Sequence, residues 1–136
     1  MSSNVLLRTE FKEIPFLHRG KVRDIYDLGA YLLIVATDRI SAFDVVLPDG
    51  IPHKGRVLNQ LSAYWFKTLQ PITTHHMVTT QLDGFPGLPR DIAASLSGRA
   101  MIVKKTKPLP VECIVRGYLS GSGWNEYQEK GTISSI

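Results

Sequence analysis

The segment LPVECIVRGYLSGSGW, Leu109 to Trp124, sets an acid and a base in one apolar run and then passes into glycine and serine. Glu112, Ile114 and Arg116 are spaced by two, so in a strand they share one face, while Val111, Cys113 and Val115 take the other. Charges placed that way either pair with each other or flank a charged ligand. Gly117, Gly121, Ser122 and Gly123 allow close backbone approach, and a helix starting near Ser122 would add N–H donors and a hydroxyl for an anion. A structural Glu112–Arg116 pair gives the glycines and serine no purpose, so the balance falls to a site.

Three other clusters could hold an anion. HRGKVRDIY (18–26) places Gly20 and Lys21 between Arg19 and Arg23, where backbone N–H groups and cations could meet a phosphate. Alone it also reads as a solvated strand end, and it is neither a Walker A loop nor a dinucleotide fingerprint. TDRISAFDVV (37–46) packs Asp38, Arg39, Ser41 and Asp44 into seven residues, either as a site or as a turn with a local ion pair. HKGRVLNQ (53–60) brings Lys54, Gly55, Arg56 and Asn59 to the start of a helix; Arg56 and Asn59 read equally as its solvent face.

Other chemistry finds little support. His75 and His76 are adjacent, so in a strand they point to opposite faces and chelate one ion poorly. No Ser/His/Asp arrangement is visible around His18 or His53. Cys113, the single cysteine, sits in an apolar run and reads as a buried free thiol.

The elements that must position these residues are short. KVRDIYDL (21–28) and AYLLIVAT (30–37) form a hairpin through Leu28-Gly29-Ala30. FDVVLPDGIP (43–52) is a strand ended at Pro-Asp-Gly. A helix over 56–70 carries one apolar stripe, Leu58, Leu61, Trp65 and Leu69, and Pro71 ends it. HHMVTT (75–80) is a strand, RDIAASLS (90–97) a helix closed by Gly98, AMIVKKT (100–106) and VECIVRGY (111–118) two further strands, and WNEYQEK a last helix. The closing GTISSI has strand composition without a partner and reads as interrupted. The class is α+β with strands dominant.

The 136 residues suit one independent core but are short for a complete two-substrate enzyme. The net charge of +4 suits a phosphorylated or acidic ligand and is too diffuse to argue for nucleic acid. Phe, Tyr and Trp do not interleave with basic residues as stacking platforms. The N-terminus lacks the pattern of a signal peptide and no apolar run approaches a membrane span, so a soluble cytoplasmic protein is expected.

GKVRDIYD, DRISAFDVV, HKGRVLNQLSAYWF, LPVECIVRGYLSGS and VRGYLSGSGWNEY, in that order, resemble the phosphoribosylaminoimidazole-succinocarboxamide synthase (SAICAR synthetase) family of purine biosynthesis. The likeness runs from about Gly20 to Thr132, with Ser120 where the family often has Thr or Ala. The resemblance implies an ATP- and Mg2+-dependent ligase that joins L-aspartate to carboxyaminoimidazole ribonucleotide through an acyl phosphate. It also implies a kinase-like, ATP-grasp-like fold, with a β-rich front lobe over ATP at 1–100 and a second, incomplete lobe from 101–136. Carried over by position, Gly20, Lys21, Arg23, Lys104 and Glu112 meet ATP. Ser41, Asp44, Lys54, Arg116 and Ser122 meet the ribonucleotide, with Arg116 and Ser122 at its 5′-phosphate; the catalytic residues are unassigned.

The family's second signature, Leu-Ile/Val-Asp-x-Lys-x-Glu-x-Gly, and its downstream acidic residues do not occur here. The resemblance therefore implies a front portion with no metal ligands, inactive alone and self-associating through an open face. Its partners are small molecules, with no nucleic acid and no membrane. The alternative is a non-catalytic, basic nucleotide- or nucleic-acid-binding module; a third is an inert truncation.

Overall fold

The computed structural model describes residues 5–111 and 117–135. In the hairpin at its centre, β2 (Arg23–Asp27) and β3 (Tyr31–Ala36), alternate residues face opposite ways, and one set is apolar except for Asp24. Tyr26, Leu33 and Val35 are fully buried on that side. Gly29, at φ 79°, makes the turn, and its N–H donates to Asp27 Oδ1 at 2.9 Å. β1 (Phe16–Arg19) pairs with β2, and β7 (Ala100–Lys104) pairs with β3 and with β6 (Met77–Thr79). The sheet is antiparallel with order β1-β2-β3-β7-β6.

Two helices lie along this unit. α2 (Arg90–Ser95) sets Ile92, Ala93 and then Leu96 against Tyr26, Leu33, Val35, Ala100 and Ile102, with Ile14, Leu82 and Leu88 completing the core. α1 (Lys54–Leu69) contacts β3 and β7. The expected apolar stripe does not hold it there: Leu58, Leu61, Trp65 and Leu69 are all exposed. Its inward face is Gly55, Asn59, Ser62 and Phe66, spaced four, three and four. Gly55 is required by close approach, because a Cβ there would stand 2.1 Å from the Ala36 carbonyl oxygen. Asn59 is buried, not solvent-facing, and its Nδ2 donates to the carbonyls of Gly98 and Ala100, both at 3.2 Å.

TDRISAFDVV departs from its expected form. Arg39–Ala42 is a strand, β4, and pairs with β5 (Val45–Gly50) in a separate two-stranded sheet. Phe43 and Asp44 turn the chain at φ 49° and 65°, both left-handed, as a tight hairpin turn demands. The strand runs through Pro48-Asp49-Gly50 instead of ending there, because Gly50 pairs with Arg39.

The chain divides into two compact units, Met1–Thr106 and Lys107–Ile136. β7 is an inner strand of the large sheet, so the first unit extends past the expected boundary at residue 100. In the second unit α3 (Ser122–Lys130) starts at the expected serine and is closed by Gly131, at φ 70°, whose N–H donates to the Tyr127 carbonyl at 2.8 Å. Most of the expected strand 111–118, with Glu112, Cys113 and Arg116, lies outside the described residues. The described part of GTISSI is not a strand.

Candidate functional site

Two buried aspartates decide the geometry. Asp24 points from β2 into the protein and is fully buried, a position a carboxylate keeps only when surrounded by donors. It accepts bonds from Thr9 N–H and Thr9 Oγ1 through Oδ2, both at 2.9 Å, and from Arg19 and Arg39 through Oδ1, at 3.0 and 2.9 Å. Burial alone would raise its pKa, but the Arg39 and Thr9 bonds outweigh that and hold it below the ordinary 3.8. Asp38 is also fully buried; its donors are Leu6 N–H, Gly55 N–H and Arg99, at 2.9, 2.9 and 3.1 Å. Here too burial opposes ionisation, yet the two N–H groups and Arg99 hold the pKa down. Asp38 and Arg39 are therefore not a local pair: Asp38 fixes the start of α1, and Arg39 reaches back to β2.

The Gly20–Arg23 loop is tied down from beneath. Arg39 donates to the carbonyls of Lys21, Gly20 and Arg23 at 2.9, 2.9 and 3.2 Å. Val22 O accepts from Thr37 N–H at 3.1 Å and Thr37 Oγ1 at 2.8 Å, and Gly20 N–H closes the turn onto Arg23 O at 2.8 Å. All four carbonyls of the loop are thus occupied. Among the described residues, the N–H groups of Lys21 and Val22 find no acceptor.

Beside the loop lies a cavity of about 160 Å³ between the sheet face opposite the core and α1. Val22, Ile34, Ala36, Met101 and Phe66 give it apolar walls; Arg23, Lys54 and His76 give it polar ones. Burial first, then the nearby Arg23 charge, push Lys54 below the ordinary lysine value; Asp38 pulls the other way, and Arg39 adds a smaller push. His76 is also lowered, by burial, then by His75 and Arg23. A cavity with apolar walls, the half-buried Lys54 and the exposed Arg23 beside it suits a group that joins an apolar face to negative charge.

The sequence-predicted residues are only partly brought together. Arg23 and Lys54 line the cavity, and Gly20 and Lys21 stand in the adjoining loop. Lys21 Nζ meets Asp44 Oδ1 at 2.6 Å, both side chains exposed, which links the loop to the β4–β5 turn. Ser41 is half-buried in β4 opposite Val46. Lys104 is exposed and, by alternation, shares the face of Ile102, not the cavity face of Met101. In the second unit Ser122 borders an open hollow with Gly117, Ser120 and Gly123. Glu112 and Arg116 are outside the described residues. Sequence reasoning missed Thr37, the inward role of Arg39, and His76. A carboxylate at Asp24, on the strand face of Tyr26, was the available signal for a buried cation.

Comparison with known proteins bears on this arrangement. The family model described as SAICAR synthetase matches residues 16–134. A phosphoribosylaminoimidazole-succinocarboxamide synthase of Thermodesulfovibrio yellowstonii is 58% identical over 133 residues, covering 98% of this chain and 46% of that protein. One of Syntrophotalea carbinolica is 54% identical over 132 residues, covering 97% and 45%. The chain therefore spans about half the length of the curated relatives it matches. Among solved structures, one described as SAICAR synthase superposes with a TM-score of 0.85 at 42% identity, over 96% of this chain and 47% of that one. A SAICAR-synthase from Saccharomyces cerevisiae complexed with SAICAR superposes with a TM-score of 0.84, also at 42% identity, with the same coverage.

Proposed function

From membership of the SAICAR synthetase family, to which this chain belongs, we propose that it forms the nucleotide-covering part of an ATP-dependent carbon–nitrogen ligase. The reaction joins L-aspartate to the carboxylate of carboxyaminoimidazole ribonucleotide, giving SAICAR, ADP and phosphate, in a cytoplasmic purine pathway. The observation that carries the reading is the cavity beside the Gly20–Arg23 loop: apolar walls for a base, then cations and two free N–H groups for phosphates.

In this assignment Gly20, Lys21 and Arg23 hold the ATP phosphates in a kinase-like or ATP-grasp-like site. Lys104 and Glu112 bound the connection at its edge. Lys54, Ser41 and Asp44 form the wall toward the ribonucleotide, and Arg116 with Ser122 hold its 5′-phosphate. ATP fits the donors present in Arg23 and the N–H groups of Lys21 and Val22, while Lys54, kept short of its ordinary proton affinity by burial and Arg23, would regain it beside an anion of either substrate. ATP supplies the phosphoryl group that activates the ribonucleotide's carboxylate toward the aspartate amine. Magnesium typically takes one or two carboxylates together with nucleotide phosphates, so it would arrive with ATP; among the described residues no group of three or more His, Cys, Asp or Glu side chains stands together. No step is assigned to it. Among the described residues no helix is long and apolar enough to cross a membrane.

The test is product formation with ATP, magnesium, aspartate and the ribonucleotide, followed by chromatography. Turnover is expected when this chain is fused to the remaining length of the Thermodesulfovibrio yellowstonii relative, and none from the 136 residues alone. Comparable turnover by the chain alone, or a folded fusion that makes no succinocarboxamide, would overturn the reading.

A further inference from the structure

We propose that Arg39 is a positioning residue for nucleotide binding, whose buried guanidinium turns the carbonyls of the Gly20–Arg23 loop inward and so presents Lys21 and Val22 N–H to an anionic ligand. The inference rests on the reading of that loop as a phosphate holder and adds the residue that shapes it.

The Arg39 side chain is 8% exposed and cannot itself reach a ligand in solution. Its Nε and Nη2 atoms meet three loop carbonyls and Asp24, while Nη1 donates to Leu7 O on the chain's N-terminal segment. A loop of four residues has four carbonyls and four N–H groups pointing in broadly opposite senses. Fixing the carbonyls toward one side leaves free N–H groups on the other, which is the geometry of an anion nest. Only a planar fork with several donors meets three carbonyls and a carboxylate at once, and a lysine ammonium cannot span them. Asp24 in turn is clamped by Thr9 and Arg19, so the guanidinium has a fixed orientation. Thr37 takes the one loop carbonyl that Arg39 does not reach. Arg39 also belongs to the strand that runs into the Asp44 turn, and Asp44 meets Lys21 from outside. One short segment therefore grips the loop from both sides.

The experiment uses the 136-residue chain, with ATP affinity from calorimetry and loop geometry from backbone amide spectra. Arg39→Lys is expected to lower ATP affinity tenfold or more and to move the signals of Gly20 to Arg23, with those of α2 and β7 unchanged. Arg39→Ala is expected to behave likewise and to regain affinity when methylguanidinium is added, which a general loss of stability would not do. Unchanged loop signals with unchanged affinity in a folded Arg39→Lys protein would overturn the proposal. Should both variants fail to fold, the unaltered chain still decides: the Arg39 Nε–H proton should exchange slowly, and exchange as fast as in a free guanidinium would overturn it. Should the unaltered chain not bind ATP, the nucleotide reading falls. The positioning role is then judged on the loop signals of Arg39→Lys alone, where no movement overturns it.

Discussion

Gly20–Arg23 and Gly117–Gly123 look alike as sequence: each combines glycine with polar or basic neighbours where a phosphate could sit. As structure they differ in what lies beneath. The first has every carbonyl held by Arg39, Thr37 or its own turn, over two fully buried aspartates. In the second, Gly117 to Ser122 are all exposed, and Gly121 precedes α3 with no side-chain cap. A glycine-bearing segment becomes a shaped anion site when buried side chains consume its carbonyls. Without that support it offers only freedom to move toward a ligand.

If this contrast is right, substitutions under the first segment cost stability and those in the second do not. Asp24→Ala leaves Arg39 buried without its carboxylate and should cost about 3–5 kcal/mol in urea unfolding. A loss below about 1 kcal/mol, the range of exposed pairs, would remove the distinction. Gly55→Ala forces a methyl against the Ala36 carbonyl and should cost about 1–3 kcal/mol or more, since backbone cannot move aside as a side-chain tip does.

Acid should act through the same two carboxylates. Asp24 and Asp38 have folded pKa values below the ordinary 3.8, so the stability they contribute is complete above 3.8. It is lost as pH falls through their folded values, and acid titration of unfolding should show a decline below 3.8, not at neutral pH. Lys21→Ala should change stability by no more than about 1 kcal/mol, because its pair with Asp44 is exposed at both ends. Its ATP affinity should nevertheless fall roughly tenfold, the worth of about 1.4 kcal/mol for a charged contact. Ser122→Ala should shift unfolding by about 0.5 kcal/mol or less, as its position is exposed.

Much of the fold was legible because local signals agreed. The β2–β3 hairpin followed from alternation plus Gly29, and α3 from Ser122 to Gly131; α2, expected over 90–97, ends at Ser95 and is capped by Leu96, not by Gly98. The β4 strand was not legible, since Phe43 and Asp44 lack the Asn-Gly pattern that announces a tight hairpin turn. The stripe of Leu58, Leu61, Trp65 and Leu69 misled because periodicity identifies a helix without saying which face meets the sheet. Gly55 and Asn59 face it instead, one by its lack of a side chain and one by hydrogen bonds to Gly98 and Ala100. For the site, the cations near Gly20 were readable as charge. The partners of Asp38 and Arg39 were not, because Arg99 lies 61 residues from Asp38 and only the closed sheet brings them together.

The most direct measurement is a titration of the 136-residue chain with ATP, read residue by residue in amide and methyl spectra. The nucleotide reading predicts that Lys21, Val22 and Arg23 move together with Ile34, Ala36 and Met101 on the cavity wall, while Ile92, Leu96 and Ile102 in the core stay still. Saturable shifts confined to Gly117–Ser122, with the first loop and the cavity silent, would contradict it.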